Sequence, residues 1–208
     1  MDVATNDLLC RVPESADYAV DATDLDPEDI PQSRVDGVRH LLFYATDDAQ
    51  RFLAARLLAS WGYHEGLVEL ERHIDEYEKV AGTFTHRMYG YDDTGRQVLM
   101  AVIKYFANVA DRGDAQGARA QIYVLIEKLI LLANRMPFEI SRLFDFVRSE
   151  RAFEYLPLLE RHLQSIIDYP EVHGWKIKEV IELLLDFDAE FALALLRSKG
   201  KALEDFNF

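Results

Sequence analysis

The sequence predicts an all-α fold, and three observations carry that prediction. Apolar residues recur at intervals of three and four from Ser33 to the region of Gly200, the spacing of helices that bury one face. Gly62, Gly113, Pro137, Pro170 and Gly200 stand where one such stretch gives way to the next. No segment shows the strict alternation of a half-buried strand. Half of the 208 residues are hydrophobic, and a chain of this size buries about 70% of its unfolded surface. About nine helices in antiparallel hairpins are expected.

Taken in order, Val35, Val38, Leu41, Leu42 and Ala45 form the first stripe. Asp47 or Asp48 can cap a second helix with Phe52, Ala55, Leu58 and Ala59 inward. Trp61-Gly62-Tyr63 makes a tight corner in which glycine suits the left-handed position. Leu67, Leu70, Ile74 and Tyr77 then face inward, with Glu65, Glu69, Arg72 and Glu76 on the other side of the same helix. Residues 81–95 break the period with three glycines among Thr, Phe and Tyr, a long loop or small hairpin of a length that often carries function. Val98, Val102, Ile103, Phe106 and Val109 resume the helical pattern up to Asp111-Arg112-Gly113-Asp114. Ile122 to Leu132 is apolar nearly all round, and is expected to be the most buried helix. Three more helices follow. One runs through Phe153, Leu156, Leu159 and Leu163, one opens at Pro170 with Trp175, Val180 and Leu184 inward, and the last carries Phe191, Leu193, Leu195 and Leu196.

Charge narrows the function. Against 23 Lys and Arg stand 37 Asp and Glu, a net charge of −14. Phosphate contact needs surplus cations, so non-specific nucleic-acid binding is excluded, and an anionic membrane surface is disfavoured. No run of 18 apolar residues spans a bilayer, and no cationic-then-apolar start reads as a signal peptide. The single Cys10 can form neither an internal disulfide nor a Cys-based zinc site, which fits a cytoplasmic protein. The acid is uneven: residues 1–50 hold 12 acids and 3 bases, whereas residues 51–208 hold 25 and 20. Residues 1–31 therefore read as an acidic leader, partly disordered or docking on a basic partner, ahead of a single helical domain over 32–208.

Two self-similarities point to repeats. Leu70-Glu71-Arg72-His73-Ile74 returns as Leu159-Glu160-Arg161-His162-Leu163. Leu58, Trp61-Gly62-Tyr63, Leu67 and Leu70 line up with Leu184, Phe187-Asp188-Ala189, Leu193 and Leu196. These corners resemble those of HEAT-type helical repeats over residues 48–80 and 171–200, with 92–168 fitting only as a degenerate unit. The resemblance implies a stacked solenoid that serves as a binding scaffold; a plain irregular helical bundle has stripes and corners too and stays open beside it. In character, a short acidic helical chain without catalytic signatures is also similar to the immunity proteins of bacterial interbacterial-toxin systems.

Sites of chemistry are sparse. His64-Glu65 starts like a zincin motif, but position 68 is Val where the second His should stand. There is no Gly-x-Ser-x-Gly elbow and no phosphate-cradling glycine loop. No catalytic residue, metal or cofactor is expected. The residues chosen as partner-binding are Glu65, Glu69, Arg72 and Glu76 on one helix face and Tyr89, Tyr91, Asp92 and Asp93 in the loop. Acids steer a basic partner, and tyrosines supply contact area at low entropic cost. The sequence thus predicts a non-catalytic module that occludes the active site of a basic toxin domain. A structural adaptor and a helical enzyme with a scattered site are the two alternatives from other classes.

Overall fold

The computed structural model describes residues 1–77 and 93–206. Within them the chain forms ten α-helices and no strand: α1 (Val3–Cys10), α2 (Gln32–Tyr44), α3 (Asp48–Ser60), α4 (His64–Asp75), α5 (Thr94–Asp111), α6 (Ala115–Ala133), α7 (Ser141–Glu150), α8 (Leu156–Ile166), α9 (Pro170–Phe187) and α10 (Ala189–Ser198). No helix among the described residues is long and apolar enough to cross a membrane.

Local chemistry sets the ends. Asp47 accepts from the Ala49 amide at the start of α3, Asp114 from Gly117 at the start of α6, and Asp188 from Phe191 at the start of α10, each satisfying an amide the helix leaves without a partner. Pro170 occupies the first turn of α9, where no amide hydrogen is needed. Gly62 adopts φ +80° at the α3–α4 corner, a conformation costly to any side chain. The corner is then fastened from α5: Arg112 donates to the carbonyls of Trp61 (2.7 Å) and Gly62 (3.2 Å), and Asn108 to that of Ser60 (2.8 Å).

The helices pack in an order that the corners alone do not dictate. The odd-numbered helices α3, α5, α7 and α9 touch in succession, and the even-numbered α4, α6, α8 and α10 do the same. Contacts between α3 and α4, α5 and α6, α8 and α9, and α9 and α10 join the two rows. One continuous core fills the space between them, from Phe52, Leu58 and Leu70 through Val102, Ile126 and Phe144 to Leu159, Val180 and Leu184. Both repeated corners, Trp61-Gly62-Tyr63 and Phe187-Asp188-Ala189, fall where an odd helix hands over to an even one.

Four features differ from the periodicity reading. Residues 1–31 do not stand apart as a leader. Leu9, Ala16, Ala22 and Leu25 are buried, the Trp61 indole donates to the Ala22 carbonyl (2.8 Å), and Lys104 bonds Thr23 and Asp24. Apolar anchors spaced between the acids are enough to seat the segment on α3 and α5. The apolar helix α6 is covered by α4, α5 and α8 on only part of its girth, so Val124 and Leu131 are exposed. Trp175 and Leu193 likewise lie at the surface, while Trp61 is buried. His73, absent from the inward stripe of Leu67, Leu70, Ile74 and Tyr77, is nonetheless buried, edge-on to Phe52 at 5.5 Å.

Candidate functional site

The α4 helix and its C-cap carry four of the residues selected from the sequence. Its inner side is Gly66, Leu67, Leu70, His73 and Ile74. A Cβ at Gly66 would lie 2.3 Å from the Ala59 nitrogen and 2.6 Å from the Ala55 carbonyl, so glycine there lets α4 settle directly on α3. Glu65, Glu69, Arg72 and Glu76 are thereby turned outward along one side, at steps of four, three and four residues.

Three cations organise this face, and each is shared by two carboxylates. Arg39 on α2 reaches Glu65 (2.5 Å) and Asp36 (3.8 Å). Arg72 holds Glu69 (2.5 Å) and Glu76 (3.6 Å). Lys128 on α6 lies 2.7 Å from both Glu71 and Asp75. Each cluster keeps one negative charge after its cation is counted. The electrostatics follow: the hydrogen bond to Glu65 holds the Arg39 guanidinium above its ordinary pKa, and Glu69 does the same for Arg72. Burial pulls Lys128 down, but its bonds to Asp75 and Glu71 outweigh that and leave it raised.

Apolar groups sit among these charges. Phe43 (63% exposed) and Val68 (54% exposed) line a groove of about 360 Å³ between α2 and α4, with Glu65 and Glu69 on its wall. Tyr44 is exposed next to it and packs on His40, with ring centroids 4.8 Å apart. On α6, Val124 and Leu131 stand one turn either side of Lys128 on the same helix face, both exposed. The result is a surface spanning α2, α4 and α6 in which large apolar side chains alternate with acid pairs. Exposed apolar groups of this kind, rimmed by charge, mark interaction surfaces.

The loop residues fare differently. Tyr89, Tyr91 and Asp92 lie outside the described residues. Asp93 takes the N-cap position of α5, with its carboxylate on Arg96 (3.3 Å), which also reaches Glu139 (3.0 Å). It belongs to that cluster and not to the α4 face. Val124 and Leu131 fall in the helix expected to be most buried, whereas Phe43, Tyr44 and Val68 escape the sequence reading for a simple reason. Periodicity identifies the residues that match the inward stripe and is silent about apolar residues off it. Phe43 and Tyr44, out of phase with Val35, Val38 and Leu42, were the available signal.

Away from this face, three titratable groups with shifted pKa values are buried. Lys176 is fully buried; its ammonium donates to the carbonyls of Ala133 (3.0 Å) and Met136 (2.9 Å) where α6 ends, and burial pushes its pKa down to about 8. His162 is fully buried on α8, its Nδ1 paired with Asn134 Oδ1, and burial followed by the nearby Lys176 charge pushes it down to about 3. His173 is lowered by burial beside the same cation. Lys176 donates to the Ala133 carbonyl at the end of α6, which has no helical partner, and to the Met136 carbonyl of the turn that follows, which is the work of a helix terminator. Among the described residues no group of three His, Cys, Asp or Glu side chains is placed to hold a metal ion. The chain matches no protein-family model, no curated protein and no solved structure.

Proposed function

We propose that this chain is a non-catalytic protein-binding module that holds a basic partner on its α2–α4–α6 face, in the manner of an immunity protein covering the active site of a toxin domain. The observation that carries the reading is the set of three cations each divided between two carboxylates around exposed Phe43 and Val68. Such a surface attracts cations without collapsing into neutral pairs, and its apolar centre supplies the desolvated contact that charge alone does not. The two-row succession of helices supports a HEAT-like array as the scaffold. In such arrays the outer side of one row is free to bind.

The test uses the full chain, since residues 1–31 are part of the packed body and deleting them would disturb it. Partners are captured from cells of the source at about 0.05 M and about 0.5 M salt, conditions that move the screening length several-fold. The captured partner should carry net positive charge and be released at the higher salt. Combined Glu69→Gln and Glu76→Gln, and separately Phe43→Ala with Val68→Ala, should weaken its binding by about ten-fold or more, whereas Glu182→Gln on α9 should not. Salt-insensitive binding that survives both double substitutions would overturn the reading.

A further inference from the structure

We propose that the cleft between the Ala22–Asp24 turn, α3 and α5 is a binding site for a small zwitterion, a molecule with a carboxylate and an ammonium a few bonds apart. The cleft encloses about 370 Å³, within the range of small-molecule sites. Its walls carry three cations, Arg56, Arg96 and Lys104, and three carboxylates, Asp21, Asp24 and Asp93.

Part of this wall has a structural explanation. Lys104 donates to Thr23 Oγ1 (2.7 Å) and Asp24 Oδ1 (2.5 Å), which pins the turn to α5. Arg96 is occupied by Asp93 and Glu139. Arg56 and Ser60, one turn apart on α3, are not accounted for in this way. Arg56 Nη1 donates to Gln97 Oε1 (2.8 Å) and Nη2 is ion-paired with Asp21 Oδ2 at 3.7 Å, beyond hydrogen-bond reach, but Nε has no acceptor. The Nε–Nη2 edge is the side of a guanidinium that receives a carboxylate through two parallel bonds. Ser60 is 1% exposed and its hydroxyl has no partner. Buried donors left unmade carry a desolvation cost that an incoming acceptor would recover.

The sign of the ligand follows from the charge balance. A bare anion at Arg56 would sit in a cleft that also holds three carboxylates, and a bare cation would meet three bases. A zwitterion matches both, with its carboxylate on the Arg56 edge and Ser60 hydroxyl and its ammonium toward Asp21 and Asp93. Met100 and Val20, which also line the cleft, offer apolar contact for the stem between the two groups.

The experiment titrates the full chain with a panel of free L-amino acids, using sodium acetate, inorganic phosphate and methylammonium as single-charge controls. Binding is followed by calorimetry and by the NMR signal of the Arg56 Nε–H group. At least one amino acid should bind and shift that signal, more tightly than any control. Ser60→Ala should weaken that binding about ten-fold while leaving the melting temperature of the ligand-free protein unchanged, because its hydroxyl has no bond to lose. Asp21→Asn should weaken it as well. The proposal is overturned if no amino acid binds, if acetate or phosphate binds as tightly as the amino acids, or if Ser60→Ala binds like the wild type.

Discussion

Replacing His162 by glutamine should make the protein markedly more resistant to acid, and the size of the effect can be worked from its surroundings. His162 on α8 is fully buried, with Nδ1 on Asn134 Oδ1, Nε2 without a partner, and Lys176 and His173 as the neighbouring charged and titratable groups acting on it. A proton added to the ring would be buried with no anion to meet it. Its folded pKa is pushed down to about 3 from 6.5. The unfolded chain therefore binds the proton first as the pH falls. The stability is fully present above 6.5 and is lost progressively down to about 3. At about 1.4 kcal/mol for each pH unit, the complete loss is about 5 kcal/mol, of which about 2 kcal/mol has gone by pH 5. Glutamine has similar length, can donate to Asn134 and does not titrate in this range. Urea unfolding of both proteins between about pH 7 and pH 5 isolates the difference. The variant should lose about 2 kcal/mol less than the wild type over that span, whatever its stability at pH 7. His73 and His173, also lowered chiefly by burial, add a common background that cancels. If the two stability curves run parallel, the native ring does not resist protonation and the reasoning fails.

Other outcomes can be checked on the same footing. Lys176 has a folded pKa of about 8 against 10.5 unfolded, so wild-type stability should rise by about 3 kcal/mol as the pH climbs from 8 through 10.5. Lys176→Met should lack that rise and should cost about 1–3 kcal/mol at neutral pH by orphaning the Ala133 carbonyl, that of Met136 keeping the Phe138 amide; denaturant curves at about pH 7.5 and 9.5 compare them. Gly66→Ala drives a methyl into the backbone of α3 and should cost about 2–4 kcal/mol. Gly174→Ala, inside α9 with nothing within 4 Å of the added carbon, should instead gain about 0.5–1 kcal/mol in thermal unfolding. Trp61→Phe removes the indole bond to Ala22 and should cost about 1 kcal/mol, with faster proteolysis confined to the turns before α2.

The repeated pentapeptide shows how far periodicity reaches. Leu70, His73 and Ile74 are spaced so that all three share one side of α4, and Leu159, His162 and Leu163 repeat this on α8; all six are buried. The spacing places both histidines inside, although as polar residues they fall outside an apolar stripe. The α4 outer face was equally legible, because an amphipathic helix with charge at steps of four and three leaves little choice of orientation. Of the ion pairs, only those of Arg72 with Glu69 and Glu76, three and four residues away on the same helix, were local. Glu65 meets Arg39 from 26 residues away and Lys128 meets Glu71 from 57 away, and no local pattern encodes such distances.

The sequence by itself determined that the chain is helical, where its corners lie and which sides of the helices turn inward, because these depend on residues within a turn or two of each other. Tertiary structure alone decided which helices stack in which row, that the acidic first segment is seated on α3 and α5, and that apolar Phe43, Val68, Val124 and Leu131 are left uncovered. Coverage depends on which neighbour arrives, and burial of a side chain is a property of the pair that packs. The carboxylates along α4 are held two to a cation: Glu69 and Glu76 by Arg72 of the same helix, the others by Arg39 and Lys128 as α2 and α6 approach.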